Sequence, residues 1–170
     1  MKEPLKKKVE SYLQHLRYKK YGRPTISATE INQWCEARNK LPANIDEPFV
    51  LNYYVHAESV DPDEQDIKVV MSTLRLLGNL QKSMMVQCDG TFKVVWQGYP
   101  LVLVGTSDQD RKFHPYAVAV CKGEGTDDFS FIFESLRSHH LVWHPEVLLA
   151  DGSDAITAGF RAVFVILEFA

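Results

Sequence analysis

Residues 84–105 read MMVQCDGTFKVVWQGYPLVLVG and residues 147–154 read VLLADGSD. In the first stretch Val86, Cys88, Phe92 and Val94 alternate with Gln87, Asp89, Thr91 and Lys93, the period of two that sends successive side chains to opposite faces of a strand. Asp89 then falls on the polar face beside Thr91. Gln97 and Gly98 supply a hairpin turn, Pro100–Gly105 returns as a second strand, and after the polar segment 106–112 Pro115–Cys121 forms a third, so an antiparallel meander is expected. Downstream, Thr126 can cap a helix whose Phe129, Ile132, Phe133 and Leu136 recur at i, i+3, i+4 and i+7. Val147–Ala150 then reads as a short buried strand ending in Asp151, Gly152 and Ser153 open a helix through Ala162, and Val163–Phe169 is again β-like. Three strands, helix, strand, helix, strand is an α/β layout with a mixed sheet flanked by helices.

Upstream the signals are looser. Ile67, Val70, Met71, Leu74 and Leu77 fit a helix, yet Ile67–Met71 is rich in β-branched residues, which favours a strand followed by a short helix after Thr73. Phe49–Val55 reads as another strand, closed by an acidic turn around Asp61, Pro62, Asp63 and Glu64. Ser27 with Glu30 three residues later is a capping-box signature for a helix whose inner face is Ala28, Ile31, Trp34 and Cys35. Leu5, Val9, Tyr12, Leu13 and Leu16 mark an earlier amphipathic helix with lysines on its other faces. The expected organisation is a small basic helical appendage over residues 1–45 and an α/β domain over residues 46–170.

The 170 residues are 45% hydrophobic and 24% charged, enough to build one core without disulfides or a structural metal. Cys35, Cys88 and Cys121 form no CxxC pair, which excludes a zinc ribbon or disulfide framework and predicts reduced, buried thiols. The longest apolar runs, Leu101–Val104 and Ala162–Leu167, fall far short of the ~18 residues a membrane span needs. No secretory or organellar leader is legible at the N-terminus, so an intracellular protein with no membrane partner is expected. Charge is uneven: residues 1–23 hold eight Lys/Arg against two Glu, a net +6, and the remainder carries −9.

Asp89 sits within a strand of Met, Val and Phe, and Asp151 ends the apolar run VLLA. Acids in such places need partners. Brought together by sheet pairing, they would form a hard, oxygen-only site suited to Mg²⁺ or Mn²⁺ and to phosphoryl transfer. The alternative from spacing alone is that backbone groups satisfy Asp89 and that Asp151 merely caps the following helix.

The same residues carry a resemblance. The Asp-Gly-Thr-Phe-Lys element at 89–93, the Gly-Tyr-Pro turn at 98–100, His114-Pro115, Glu124 before the helix, and Asp-Gly-Ser at 151–153 resemble the transposase domain of Mutator-like elements over roughly residues 67–164. The resemblance implies an RNase H-like, DDE-type fold in which the strands bearing Asp89 and Asp151 are adjacent and parallel and both carboxylates face one cleft. It implies metal-dependent cleavage and transfer of DNA strands at a two-metal Mg²⁺ or Mn²⁺ site, with Asp89 and Asp151 as the first two acids and Glu124 behind the ligands. It further implies DNA and other transposase subunits as partners, and a nuclear location. The family's third acid, a Glu on a helix beyond the fifth strand, has no counterpart up to residue 170, because Glu168 falls in the last strand. The expectation is therefore a domain incomplete at its C-terminus, a transposase fragment that does not cleave or join DNA alone. The alternative is a non-catalytic, domesticated or truncated transposase-derived module that binds DNA or protein.

Other candidates read more plainly. His139, His140 and His144 flank a loop without an ordered metal motif, and Trp96 and Tyr99 sit where aromatics cover a sheet edge. Lys6, Lys7, Lys8, Arg17, Lys19 and Lys20 are candidate DNA phosphate contacts. If they serve as such, duplex affinity falls with salt by about 0.9 log units per log salt for each contact, and deleting residues 1–23 flattens that slope in a fluorescence-anisotropy titration. An unchanged slope would assign these side chains to a solvated helix face.

Overall fold

The computed structural model describes residues 11–13, 15, 16, 19, 27–56, 66–91, 99–139 and 142–164. Lys6, Lys7, Lys8, Arg17 and Lys20, the Gln97-Gly98 turn and the β-like segment from residue 165 onward lie outside them. The strands are β1 (Phe49–His56), β2 (Asp66–Ser72), β3 (Met85–Thr91), β4 (Leu101–Ser107), β5 (Phe113–Cys121) and β6 (Val147–Ala150). The helices are α1 (Ala28–Arg38), α2 (Leu74–Leu77), α3 (Thr126–His139) and α4 (Asp154–Val163), with a 3₁₀ turn at Leu80–Lys82.

One mixed sheet runs β1-β2-β5-β4-β3-β6. Among the described residues every pairing is antiparallel except that of β3 with β6. The meander β3-β4-β5 forms as its alternation dictates, and β1-β2 extends the sheet beyond β5. The ambiguous segment is a strand because both of its faces are used: Ile67 and Val69 are buried on one side and Val70 on the other. Thr73 ends that strand and starts α2, its Oγ1 accepting the Leu76 amide at 3.2 Å.

α3 and α4 cover one face. Phe129, Ile132, Phe133 and Leu136 of α3 and Ile156 and Phe160 of α4 are buried against Val86, Cys88, Val102, Val104 and Ala119. At its β1-β2 end the other face is covered by α1, whose Cys35 packs with Val50, Ile67 and Val69. The capping box is present, with Glu30 N donating to Ser27 Oγ at 3.2 Å and Ser27 N to the Glu30 carboxylate at 2.8 Å. Trp34 departs from its expected inner place: it is 42% exposed and lies under the Arg38 guanidinium, 4.7 Å from the ring centroid. Only a narrow stripe of a four-turn-or-shorter helix can face the sheet, and Ala28 and Cys35 fill it. β6 also departs from a fully buried strand, since Val147 and Leu149 are 53% and 55% exposed. No helix covers that end of the second face among the described residues.

α3 and α4 meet at Gly159. A Cβ there would lie 2.6 Å from Phe129 Cβ and 2.9 Å from Ser130 N, so the helices approach only because the position has no side chain. Gly159→Ala gains up to about 1 kcal/mol of helix propensity but forces apart a packed interface, at a cost of about 1–3 kcal/mol. The expected net result is a thermal midpoint lower by a few degrees, readable by circular dichroism; a raised midpoint would show that the helices adjust freely.

Candidate active site

β3 and β6 run parallel with Cys88 opposite Ala150, so Asp89 and Asp151 leave the two strands at the next position along, side by side. Both are exposed. They line one cleft of about 380 Å³ together with Gln87, Leu103, Phe113 and Leu149. This differs from burial in an apolar strand, and the alternation explains it: Val86 and Cys88 point into the core while Gln87 and Asp89 point to the uncovered face. Solvent in the cleft hydrates the acids, which removes the need for protein partners.

Local chemistry holds each carboxylate. Asp89 follows a segment paired on both sides, to β4 (Asp89 opposite Leu103) and, through Cys88, to β6. Its carboxylate makes no hydrogen bond or ion pair among the described residues. Asp151 Oδ1 accepts the Ser153 amide at 3.2 Å, and Gly152 between them has φ +86°, a backbone region that L side chains rarely adopt. Ser153 is the N-cap residue of α4, so Asp151 stands one turn of chain ahead of the helix and does not cap it. The Asp-Gly-Ser element is thus a strand exit that fixes the acid's direction.

Glu124 arrives from the loop between β5 and α3. A Cβ on Gly90 would come within 3.1 Å of Glu124 Oε1, so the glycine of Asp-Gly-Thr is what admits this carboxylate beside β3. Burial, and then the charges of Asp151 and Asp128, hold the Glu124 carboxyl above its ordinary value. Beneath the site the buried Cys88 thiol is pushed up to about 12, by burial first and then by Asp89 and Asp151. It stays protonated and is no nucleophile.

The structure therefore gathers Asp89 and Asp151 in one cleft, with Glu124 within electrostatic reach of Asp151. Among the described residues no three His, Cys, Asp or Glu side chains are close enough to hold an ion jointly. Lys19 is exposed, while the other five basic candidates lie outside the described residues. His139 lies 6.3 Å from Phe49, ring to ring, His144 is exposed, and His140 and Trp96 are outside the described residues. Tyr99 packs on the Val50–Ile67 cluster. Sequence reasoning missed Gln87, which accepts from Ser107 Oγ at 3.0 Å, and the apolar Leu103, Phe113 and Leu149 of the cleft lining. Register was the missing signal, because Leu103 stands opposite Asp89 and Leu149 opposite Gln87.

A raised Glu124 pKa has a sign. The folded state binds that proton more tightly than the unfolded chain, so this contribution to stability is present below the ordinary value of 4.5 and is lost as pH rises through the folded value. At neutral pH the ionised group is held near Asp151 and Asp128 against their repulsion. Glu124→Gln should melt higher than the natural chain at pH 7, with the gap closing toward pH 4; a lower midpoint at pH 7 would mean the carboxylate has a stabilising partner.

The MULE transposase domain family model matches residues 85–169, half of the chain. No curated protein and no solved structure matches the chain at a significant level. The meander β3-β4-β5, the crossover through α3, and the parallel return of β6 are consistent with an RNase H-like fold. With that match spanning both aspartates and the elements that present them, the chain belongs to the MULE transposase domain family.

Proposed function

We propose that this chain carries two acids of a DDE-type site for divalent-metal-dependent cleavage and transfer of DNA strands. The observation that supports this most is the parallel β3-β6 pairing, which delivers Asp89 and Asp151 to a single cleft within a MULE transposase domain. The donor set fits Mg²⁺ or Mn²⁺: two exposed carboxylates, all-oxygen, with room for water and a substrate phosphate, the way Mg²⁺ is usually held. When bound, such ions stabilise charge on the attacking and departing oxygens of a phosphodiester.

The chain's own residues do the positioning. Asp89 is held by a strand paired on both sides, and Asp151 by its bond to the Ser153 amide. Glu124 sits behind Gly90 without joining them, and adds negative potential that draws a divalent cation to the cleft. Lys6, Lys7, Lys8, Arg17, Lys19 and Lys20 supply phosphate contacts. DNA, together with other transposase subunits, is the partner of this reading, and the nucleus its place. Among the described residues no helix is long and apolar enough to cross a membrane.

The test is Mn²⁺ titration of ¹⁵N-labelled protein. Amides around residues 87–91 and 149–153 should broaden first, and Asp89→Asn or Asp151→Asn should each weaken the effect by at least about tenfold, the lower bound for disturbing groups around a metal. Broadening centred instead on the second acidic cleft, at Asp66, Asp127 and Glu134, or none at all, would overturn the metal site and leave a transposase-derived binding module.

A further inference from the structure

Phe113 is 43% exposed, and two features of the backbone put it in the cleft. The β4-β5 register shifts between Val104 and Gly105: Val104 pairs with Ala117, Gly105 with Pro115, and Tyr116 is the extra residue. Tyr116 and Ala117 are both buried, so the alternation resets there and Phe113 emerges on the uncovered face; re-aiming a side chain is a common use of a bulge. Gly105 then gives the ring its seat. A Cβ at Gly105 would lie 2.5 Å from Phe113 Cζ and 2.8 Å from its Cε2, so the ring rests directly on the backbone of β4. The ring is seated at its Cζ–Cε2 edge, and 43% of the residue stays exposed.

The same cleft holds Asp89 and Asp151 together with Leu103, 36% exposed, on the strand beside Asp89, Leu149, 55% exposed, two residues before Asp151, and Phe113 beyond Leu103 on β5. An occupant matching this mixed lining needs an anionic group that a divalent cation can bridge to the carboxylates and a flat apolar group beside it. A nucleotide has both. The volume of about 380 Å³ is at the small end of ligand clefts, which suits one nucleotide out of its stack. We infer that Phe113 is the stacking platform for an unpaired nucleobase of the DNA, adjacent to the phosphate that Asp89 and Asp151 address. The inference rests on the reading of those acids given above.

The test uses the full chain, Mn²⁺ and a short single-stranded oligonucleotide carrying 2-aminopurine, whose fluorescence is quenched by stacking. The natural chain should bind and quench it. Phe113→Ala should bind roughly 5- to 150-fold more weakly, the range for loss of one base–aromatic stack, without quenching and with an unchanged salt slope, because no phosphate contact is touched. Phe113→Trp should keep both binding and quenching, and equal thermal midpoints would show that neither variant unfolds. Binding by Phe113→Ala within about twofold of the natural chain, with quenching retained, would overturn the inference alone. Failure of the natural chain to bind the oligonucleotide, or binding indifferent to Mn²⁺ and to Asp89→Asn, would overturn the functional reading and this inference with it.

Discussion

The pairing of β3 with β6 is the constraint on which the rest depends. It is the one parallel contact among the described residues, four residue pairs long from Met85 opposite Val147 to Cys88 opposite Ala150. A parallel neighbour cannot be reached by a hairpin, so the chain must leave β5, cross over β4 and β3 through α3, and return. That crossover needs α3 on the sheet, and Phe129, Ile132, Phe133 and Leu136 are the residues that hold it there. α4 then closes on α3 at Gly159. The register of two aspartates therefore depends on aromatic packing on the far side of the sheet from them.

The two faces have different jobs. The α3-α4 face is a dry aromatic core, in which Phe133 meets Phe160 edge-on at 5.4 Å and Phe160 lies 4.8 Å from Phe164. Among the described residues the opposite face is covered by α1 only over β1 and β2, and these leave β4, β3 and β6 open. An antiparallel region can keep one solvated face, but that face is usually polar. Here it carries Leu103, Phe113, Val147 and Leu149 beside two carboxylates. A surface of this mixed kind is costly to leave in water unless it is used.

Much of the fold was legible because alternation and helical spacing are local. The meander, the α3 stripe, the Ser27–Glu30 box and the switch from strand to helix at Thr73 all follow from neighbours within a few residues. Asp89 and Asp151 were legible as a pair through the motifs around them. What was not legible depends on register. Exposure of the two acids, the turn of Val147 and Leu149 toward solvent, and the place of Phe113 each require knowing which strand lies beside which. The bulge at Tyr116 is the sharpest case: counting by twos from Ala119 through Ala117 would send Phe113 into the core, and one extra residue reverses that.

The last constraint is electrostatic. Residues 24–170 carry a net −9, and Asp89, Asp151, Glu124 and Asp128 concentrate part of it at one end of the sheet. A nucleic acid approaching that end meets like charge, so the cleft alone repels the substrate it is read to hold. Two things on this chain can reverse the field. One is a divalent cation at the two carboxylates, drawn by the negative potential of the acids themselves. The other is the +6 of residues 1–23, placed in sequence before α1, whose packing on β1 and β2 puts its C-terminal neighbour far from β6 in the strand order. In the function proposed above the division is physically sensible: long-range attraction would come from a basic segment that need not know where the chemistry occurs, and short-range placement from carboxylates that would admit DNA only when the cation is present.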